Sequence, residues 1–294
     1  MKRKHISVVA EIGCNHMGNI DIAKEMVRIA AQECGVDAVK FQKRCIRELL
    51  SPAQYDAPHP HPENAYGESY GLHREALEFD LNQHKEIKAY CDEIDIVYSS
   101  SVWDLTSAKE ITSLNPQFIK IPSAINTNYT MLCWLCDNYS GEIHVSLGMT
   151  SRSEEEKIIE LFINRNRNSD LALYACTSGY PVPSKDTCIL EIKRLQETYG
   201  NIVKKIGYSG HHVGVKIDNA IAVLMPDIIE RHFTLNHDWK GTDHKASLQP
   251  EEMKELMESL ATIMDCLKYK DSEILPIEEI QRKKLKWFTR EKAE

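Results

Sequence analysis

The chain has no surplus of positive charge, no long apolar run and no cysteine framework, and each absence closes off a class of function. Lys and Arg total 36 against 44 Asp and Glu, a formal net charge of -8. Non-specific nucleic-acid binding needs a basic face that this balance does not supply, although local lysines can still hold an anion. No stretch approaches the ~18 apolar residues of a membrane span. The opening MKRKHISVVAEIG is basic and then only briefly apolar, with Glu11 interrupting it, so it does not read as a signal segment and a cytoplasmic protein is expected. The nine cysteines are odd in number and scattered, which suits reduced thiols. Cys133 and Cys136 form the one CxxC, inside a helix-like apolar run and without the second pair that zinc would need. A glycine-rich phosphate turn is also missing. The loop after the first apolar run, residues 13–18, has the wrong glycine spacing for a dinucleotide fold.

What the chain does have is a rhythm. Short β-branched or apolar runs at 6–12, 37–41, 94–99, 118–121, 143–147, 171–175, 203–208 and 228–233 read as strands. Segments with helical spacing fall between them at 20–34, 82–93, 105–114, 129–138, 153–164, 184–199, 213–224 and 250–267. Strict alternation of this kind predicts an α/β fold, a parallel sheet closed as a (β/α)8 TIM barrel over residues 1–270, followed by a helical tail at 271–294. A doubly wound open sheet is the alternative. One connection is irregular: residues 43–79 are rich in Pro, His and Tyr and long for a βα loop, and a substrate lid is expected there. His59 and His61 within it read as locally bonded rather than metal-bound. In the tail, Leu285, Trp287 and Phe288 are expected to dock the chain end on the barrel.

In such a barrel the carboxyl ends of the strands supply the chemistry. Those ends carry Glu11, Lys40 with Gln42, Ser101, Lys120 with Ser123, Ser146, Ser178 with Tyr180, Ser209 with His211, and His232. Lysines and hydroxyls converging there make a site for a phosphate or carboxylate. His211 and His232 each close an apolar run, and two imidazoles from adjacent strand ends supply half a shell for a divalent metal. Glu11 and Asp243 are the acids available for proton handling, Asp243 from the loop 241–245 that can lie over the mouth.

Seven segments together resemble the sialic acid (N-acetylneuraminate) synthases: AEIGCNHMG at 10–18, DAVKFQ at 37–42, SLGM at 146–149, CTSGYP at 176–181, GYSGH at 207–211, IERHFTL at 229–235 and GTDHKASL at 241–248. The resemblance runs from about residue 8 to about residue 290. It implies a (β/α)8 enzyme that condenses phosphoenolpyruvate with an N-acyl amino sugar (N-acetylmannosamine-like), releases phosphate, and uses Mn²⁺, with Mg²⁺ or Co²⁺ as alternatives. It further implies that His211 and His232 ligate the metal and that Lys40, Ser101, Lys120, Ser123, Ser146 and Ser209 hold phosphoenolpyruvate, with Ser178 beside them. Gln42, Tyr180 and Asp243 would meet the sugar, Glu11 would manage a proton or water, and Glu11, His232 and Asp243 form the catalytic set. A homo-oligomer is implied as well.

Two departures shape the expectations. The family usually has Ser-Asp-His where this chain has Ser209-Gly210-His211, so His212 is expected to stand in for a missing carboxylate. Family members commonly continue into a C-terminal antifreeze-like domain; this sequence reads as the barrel without it, and the 43–79 loop is expected to replace its sugar contacts. With no Arg/Lys cluster apart from the lysines assigned to phosphoenolpyruvate, an unphosphorylated sugar is expected. Two other functions fit the same residues: a Schiff-base aldolase using Lys40 or Lys120 as its amine, and a barrel subunit that needs a separate partner chain.

Overall fold

Eight short apolar runs lie side by side as the staves of one closed parallel barrel in the computed structural model, which describes residues 5–287. They are β1 (Ser7–Gly13), β2 (Ala38–Lys43), β3 (Val97–Val102), β4 (Phe118–Ile121), β5 (Glu142–Ser146), β6 (Leu171–Cys176), β7 (Lys205–Gly210) and β8 (Ile228–His232). Each pairs with the next in parallel, and β8 closes on β1 with Glu11 opposite His232. Parallel neighbours require a crossover each time, and helices supply it.

Between β1 and β2 runs α1 (Ile20–Arg28), capped by the Asn19 side chain and continued by one wide turn, Ile29–Cys34. The β2–β3 connection holds α2 (Ile46–Leu49), α3 (Pro52–Asp56), α4 (Tyr70–Leu77) and α5 (Leu81–Glu93). The outer ring then continues with α6 (Leu105–Ser113), α7 (Tyr129–Asn138), α8 (Arg152–Asn164), α9 (Leu190–Tyr199), α10 (Lys216–Val223) and α11 (Pro250–Cys266), and α12 (Pro276–Leu285) follows. No helix among the described residues is long and apolar enough to cross a membrane.

Side chains alternate along each strand, and this sorts the apolar residues into two cores. Outward positions such as Val8, Ala10, Val39 and Ile229 pack under the helices. Inward positions Val9, Ala38, Phe118, Ala172, Tyr174 and Ile228 close the barrel from within and form a floor.

The predicted barrel stands, with local shifts. β3 starts at Val97 rather than at 94, because Asp95 adopts φ +58 in the turn after α5. Likewise α9 begins at Leu190 rather than at 184, since Cys188 at φ +50 breaks the helical path. The irregular 43–79 stretch is largely folded into α2, α3 and α4, short helices whose weak periodicity hid them. The tail differs from expectation: Leu285 and Trp287 are 76% and 79% exposed and do not dock on the barrel, and Phe288 lies outside the described residues.

Candidate active site

One pleat above the apolar floor the barrel interior becomes charged. Val9 is followed on the same face by Glu11, Ala38 by Lys40, Phe118 by Lys120 and Ile228 by Glu230, and all four charged side chains are buried. They neutralise one another. The Lys40 ammonium pairs with Glu11 and donates to Ser101 Oγ at 2.7 Å. Lys120 Nζ lies 3.0 Å from Glu230 Oε2 and 3.4 Å over the centre of the Tyr174 ring, which forms the floor beneath it. Glu230 Oε1 accepts from Ser209 Oγ at 3.2 Å and sits 3.7 Å from Lys40 Nζ. Burial would raise the Glu230 carboxyl, but Lys120 and Lys40 hold it well below its ordinary value. Burial lowers the Lys120 ammonium from its ordinary value even with Glu230 opposing that shift.

Above this layer opens a cavity of about 290 Å³ at the carboxyl ends of the strands. Its hydroxyl side is built on close backbone approach. The Gly148 N–H donates to Ser123 Oγ at 3.0 Å, and a Cβ at Gly148 would lie 2.4 Å from Ser178 Oγ and 2.8 Å from Ser123 Oγ, so any side chain here would push those hydroxyls aside. Opposite stand the two imidazoles, ring centres 5.4 Å apart, with Tyr180 4.4 Å from His211. His211 Nδ1 donates to the Thr177 carbonyl at 3.1 Å, which leaves Nε2 with its lone pair. Burial, and then His232 beside it, lower the His211 imidazole to about 3, so it is neutral at pH 7. His232 Nδ1 is buried without a hydrogen-bond partner.

Two imidazoles, one fixed in tautomer and neutral and one with an orphaned nitrogen, fit a divalent cation. Among the described residues no group of three or more His, Cys, Asp or Glu is gathered to hold a metal, so further ligands would be substrate or water. Electrostatics points the same way. Glu11 and Glu230 offset Lys40 and Lys120, so a cation bound here would strengthen the hold on a multiply anionic ligand entering the cavity.

Every candidate residue lines the cavity except Asp243. Asp243 lies beside the mouth, in a small cleft with Tyr66, Arg74 and Lys240. Burial would raise its carboxyl, but His232, a hydrogen bond from Thr242, and then Arg74 and Arg44 lower it. Among the lining residues that were not candidates, Glu230 and Trp103 stand out. Glu230 shares the inward face of β8 with His232, two positions away, and strict use of that spacing would have found it. Trp103, the residue just after β3, has its indole nitrogen buried and without a partner, and the Arg44 guanidinium stacks 4.2 Å over its ring.

No residue of 43–79 lines the cavity, so the expected lid does not cover it. That loop instead clasps the β8 loop, with Tyr66 Oη donating to the Lys240 carbonyl at 2.6 Å. His59 is locally bonded as expected: it accepts from the His61 N–H at 2.9 Å and packs against His73. His212, expected to stand in for the carboxylate missing at Gly210, does not line the cavity; its Nε2 lies 3.1 Å from the Asp218 carboxylate of α10.

A closed parallel barrel whose carboxyl face gathers paired lysines, hydroxyls and two adjacent imidazoles is the scaffold of an enzyme. A family model described as the NeuB family matches residues 26–272. N-acetylneuraminate-9-phosphate synthase of Mus musculus is 34% identical over 278 residues, covering 95% of this chain and 76% of that protein. N,N'-diacetyllegionaminic acid synthase of Campylobacter jejuni is 33% identical over 265 residues, covering 90% and 78%. A crystal structure of N-acetylneuraminic acid (sialic acid) synthetase from Leptospira borgpetersenii in complex with citrate superposes with a TM-score of 0.79 at 25% identity, covering 95% of this chain and 92% of that one. The chain belongs to the NeuB family.

Proposed function

We propose that this enzyme condenses phosphoenolpyruvate with an N-acyl hexosamine aldehyde to give a nonulosonic acid and phosphate. The observation that carries the reading is the pairing, in one cavity, of a lysine–hydroxyl wall with the two imidazoles of His211 and His232. Lys40, Lys120 and the Ser101, Ser123, Ser146, Ser178 and Ser209 hydroxyls hold the carboxylate and phosphate of phosphoenolpyruvate. Gln42 and Tyr180 take the sugar from the open side, with Asp243 at its far end. A divalent ion held by His211 and His232, with Mn²⁺ preferred over Mg²⁺ or Co²⁺, supplies a Lewis acid for the aldehyde oxygen.

C3 of phosphoenolpyruvate bonds to the aldehyde carbon with the electron pair of its C2–C3 double bond, which leaves C2 electron-deficient, and the aldehyde oxygen takes, by way of Glu11, the proton that the added water gives up. Water adds at C2 and gives up its proton to Glu11, whose carboxylate is oriented by Lys40 and by Gln42 Nε2 at 2.6 Å. The C2–O bond to phosphorus then breaks, and the lysines that bound the anion stabilise the leaving phosphate. The nine cysteines, all free thiols, suit a cytoplasmic reaction.

Two further readings each have an observation behind them. Arg74 and Lys240 border the Asp243 cleft without an ion-pair partner among the described residues, which favours a phosphorylated sugar over the bare one expected from sequence. The lowered Lys120 ammonium favours a Schiff-base amine. One assay separates them. Phosphate release from phosphoenolpyruvate is measured with N-acetylmannosamine, its 6-phosphate and diamino-trideoxyhexoses, with and without Mn²⁺. Metal-dependent release with at least one sugar is expected; borohydride trapping of pyruvate on the chain without any release would replace the proposal with the aldolase.

A further inference from the structure

Between the two candidate metal ligands, on the opposite face of the same strands, lies a buried ionic strut that the chemistry above does not use. Arg231 separates Glu230 from His232 on β8. Because those two face the cavity, its side chain points outward, beneath α10, and it is 0% exposed. Its Nη1 pairs with the Asp218 carboxylate of α10, donates to the Gly214 carbonyl at 3.1 Å and lies 2.9 Å from His212 Nε2. Its Nη2 donates to the His212 carbonyl at 2.6 Å. The His212 ring is held from its other nitrogen by Tyr208 Oη at 3.3 Å.

These contacts have a direction. Residues 212–214 are the turn immediately after His211, and two of its carbonyls are fixed by a guanidinium rooted one residue before His232. The strut therefore ties the backbone carrying one imidazole to the strand carrying the other. Gly210 completes it by leaving room: a Cβ there would lie 2.6 Å from the Tyr208 ring and 3.0 Å from Arg231 Cδ. Its φ is not in the left-handed region, so the requirement is for space.

We propose that Arg231 is a positioning residue that sets the spacing of His211 and His232 for a divalent cation, with Asp218 as its counter-ion and Gly210 as the gap that admits it. The inference rests on the reading that these histidines hold such an ion. A purely structural ion pair would stabilise the fold and leave the site's selectivity for metal over phosphoenolpyruvate unchanged. A strut acting on the imidazole pair changes metal affinity first, as hydrogen-bonded partners behind metal ligands do, typically by about 10- to 100-fold.

The experiment measures Mn²⁺ affinity by electron paramagnetic resonance titration, and metal-free phosphoenolpyruvate affinity by calorimetry, on the full chain. Arg231→Lys keeps the charge and loses the fork that reaches both carbonyls. Gly210→Ala keeps the arginine and crowds its stem. Asp218→Asn is the third arm, so the test does not depend on any one variant folding. The expected result is a rise of about 10- to 100-fold in the Mn²⁺ dissociation constant in each folded variant, with phosphoenolpyruvate affinity within about twofold of the unmutated chain. Unchanged Mn²⁺ affinity in folded variants would overturn the inference alone. So would parallel loss of both affinities in step with melting temperature, which marks a merely structural role. An unmutated chain that binds no Mn²⁺ would overturn the underlying metal reading and the inference with it.

Discussion

Glu230→Gln is the substitution that most directly tests the charged layer. The change keeps shape and removes one charge from a buried quartet. Glu230 faces Lys120 at 3.0 Å and Lys40 at 3.7 Å. At an effective dielectric of about 20 these separations correspond to attractions of roughly 5 and 4 kcal/mol. Some of that gross loss returns as relieved desolvation of the carboxylate, and removing one partner of a buried pair typically costs about 3–5 kcal/mol net. At about 2–4 °C per kcal/mol in a chain of this size, the ligand-free protein should melt roughly 6–20 °C lower. Phosphoenolpyruvate should behave oppositely. The variant cavity carries one more net positive charge, so the anion should bind more tightly, by about tenfold or roughly 1.4 kcal/mol. Phosphate release should still fall, because the ammonium that must meet the leaving group is no longer held in place. Thermal melting with and without phosphoenolpyruvate, calorimetric titration and the phosphate-release assay read the three in turn. A melting temperature within about 2 °C of the parent combined with weaker phosphoenolpyruvate binding would refute the reasoning.

Two other predictions follow from single features. Gly148→Ala would drive its Cβ against Ser178 Oγ and Ser123 Oγ, so the Michaelis constant for phosphoenolpyruvate should rise at least about tenfold while that for the sugar changes little; equal effects on both would argue against the hydroxyl wall as the anion site. Burial lowers the His16 and His84 imidazoles to about 3. Unfolded, both take a proton near their ordinary value of about 6.5, so the unfolded chain binds more protons below that pH. Their contribution is fully present above about 6.5 and is lost as pH falls towards 3, by up to ~2.7 kcal/mol per pH unit for the pair. Melting curves from pH 7 to 4.5 should show the decline, with about half of this part of the slope removed in His84→Asn; an identical slope in that variant would contradict the assignment.

The amino-acid sequence alone carries the barrel and most of its mouth. Alternating strand and helix patterns leave parallel strands no route but repeated crossovers, and this brings all eight carboxyl ends to one face. Side-chain alternation then makes the residue at each end predictable, which is why Lys40, Lys120, His211 and His232 could be named before any coordinates. The same alternation placed Glu230 beside His232, so its role was legible and went unread. Other features are set by tertiary packing. That Asp218 pairs with Arg231 depends on how α10 seats against β8, since the sequence of this eight-residue helix does not state which strand its inner face will meet. Asp243 stands beside the cavity rather than within it because Tyr66 pins the β8 loop from a segment far away along the chain. Nor does any pattern foretell that Leu285 and Trp287 remain exposed, since an apolar stripe states what a helix can bury and not whether a partner surface is present. Local periodicity determines which residues share a face; only the packed fold decides what that face meets.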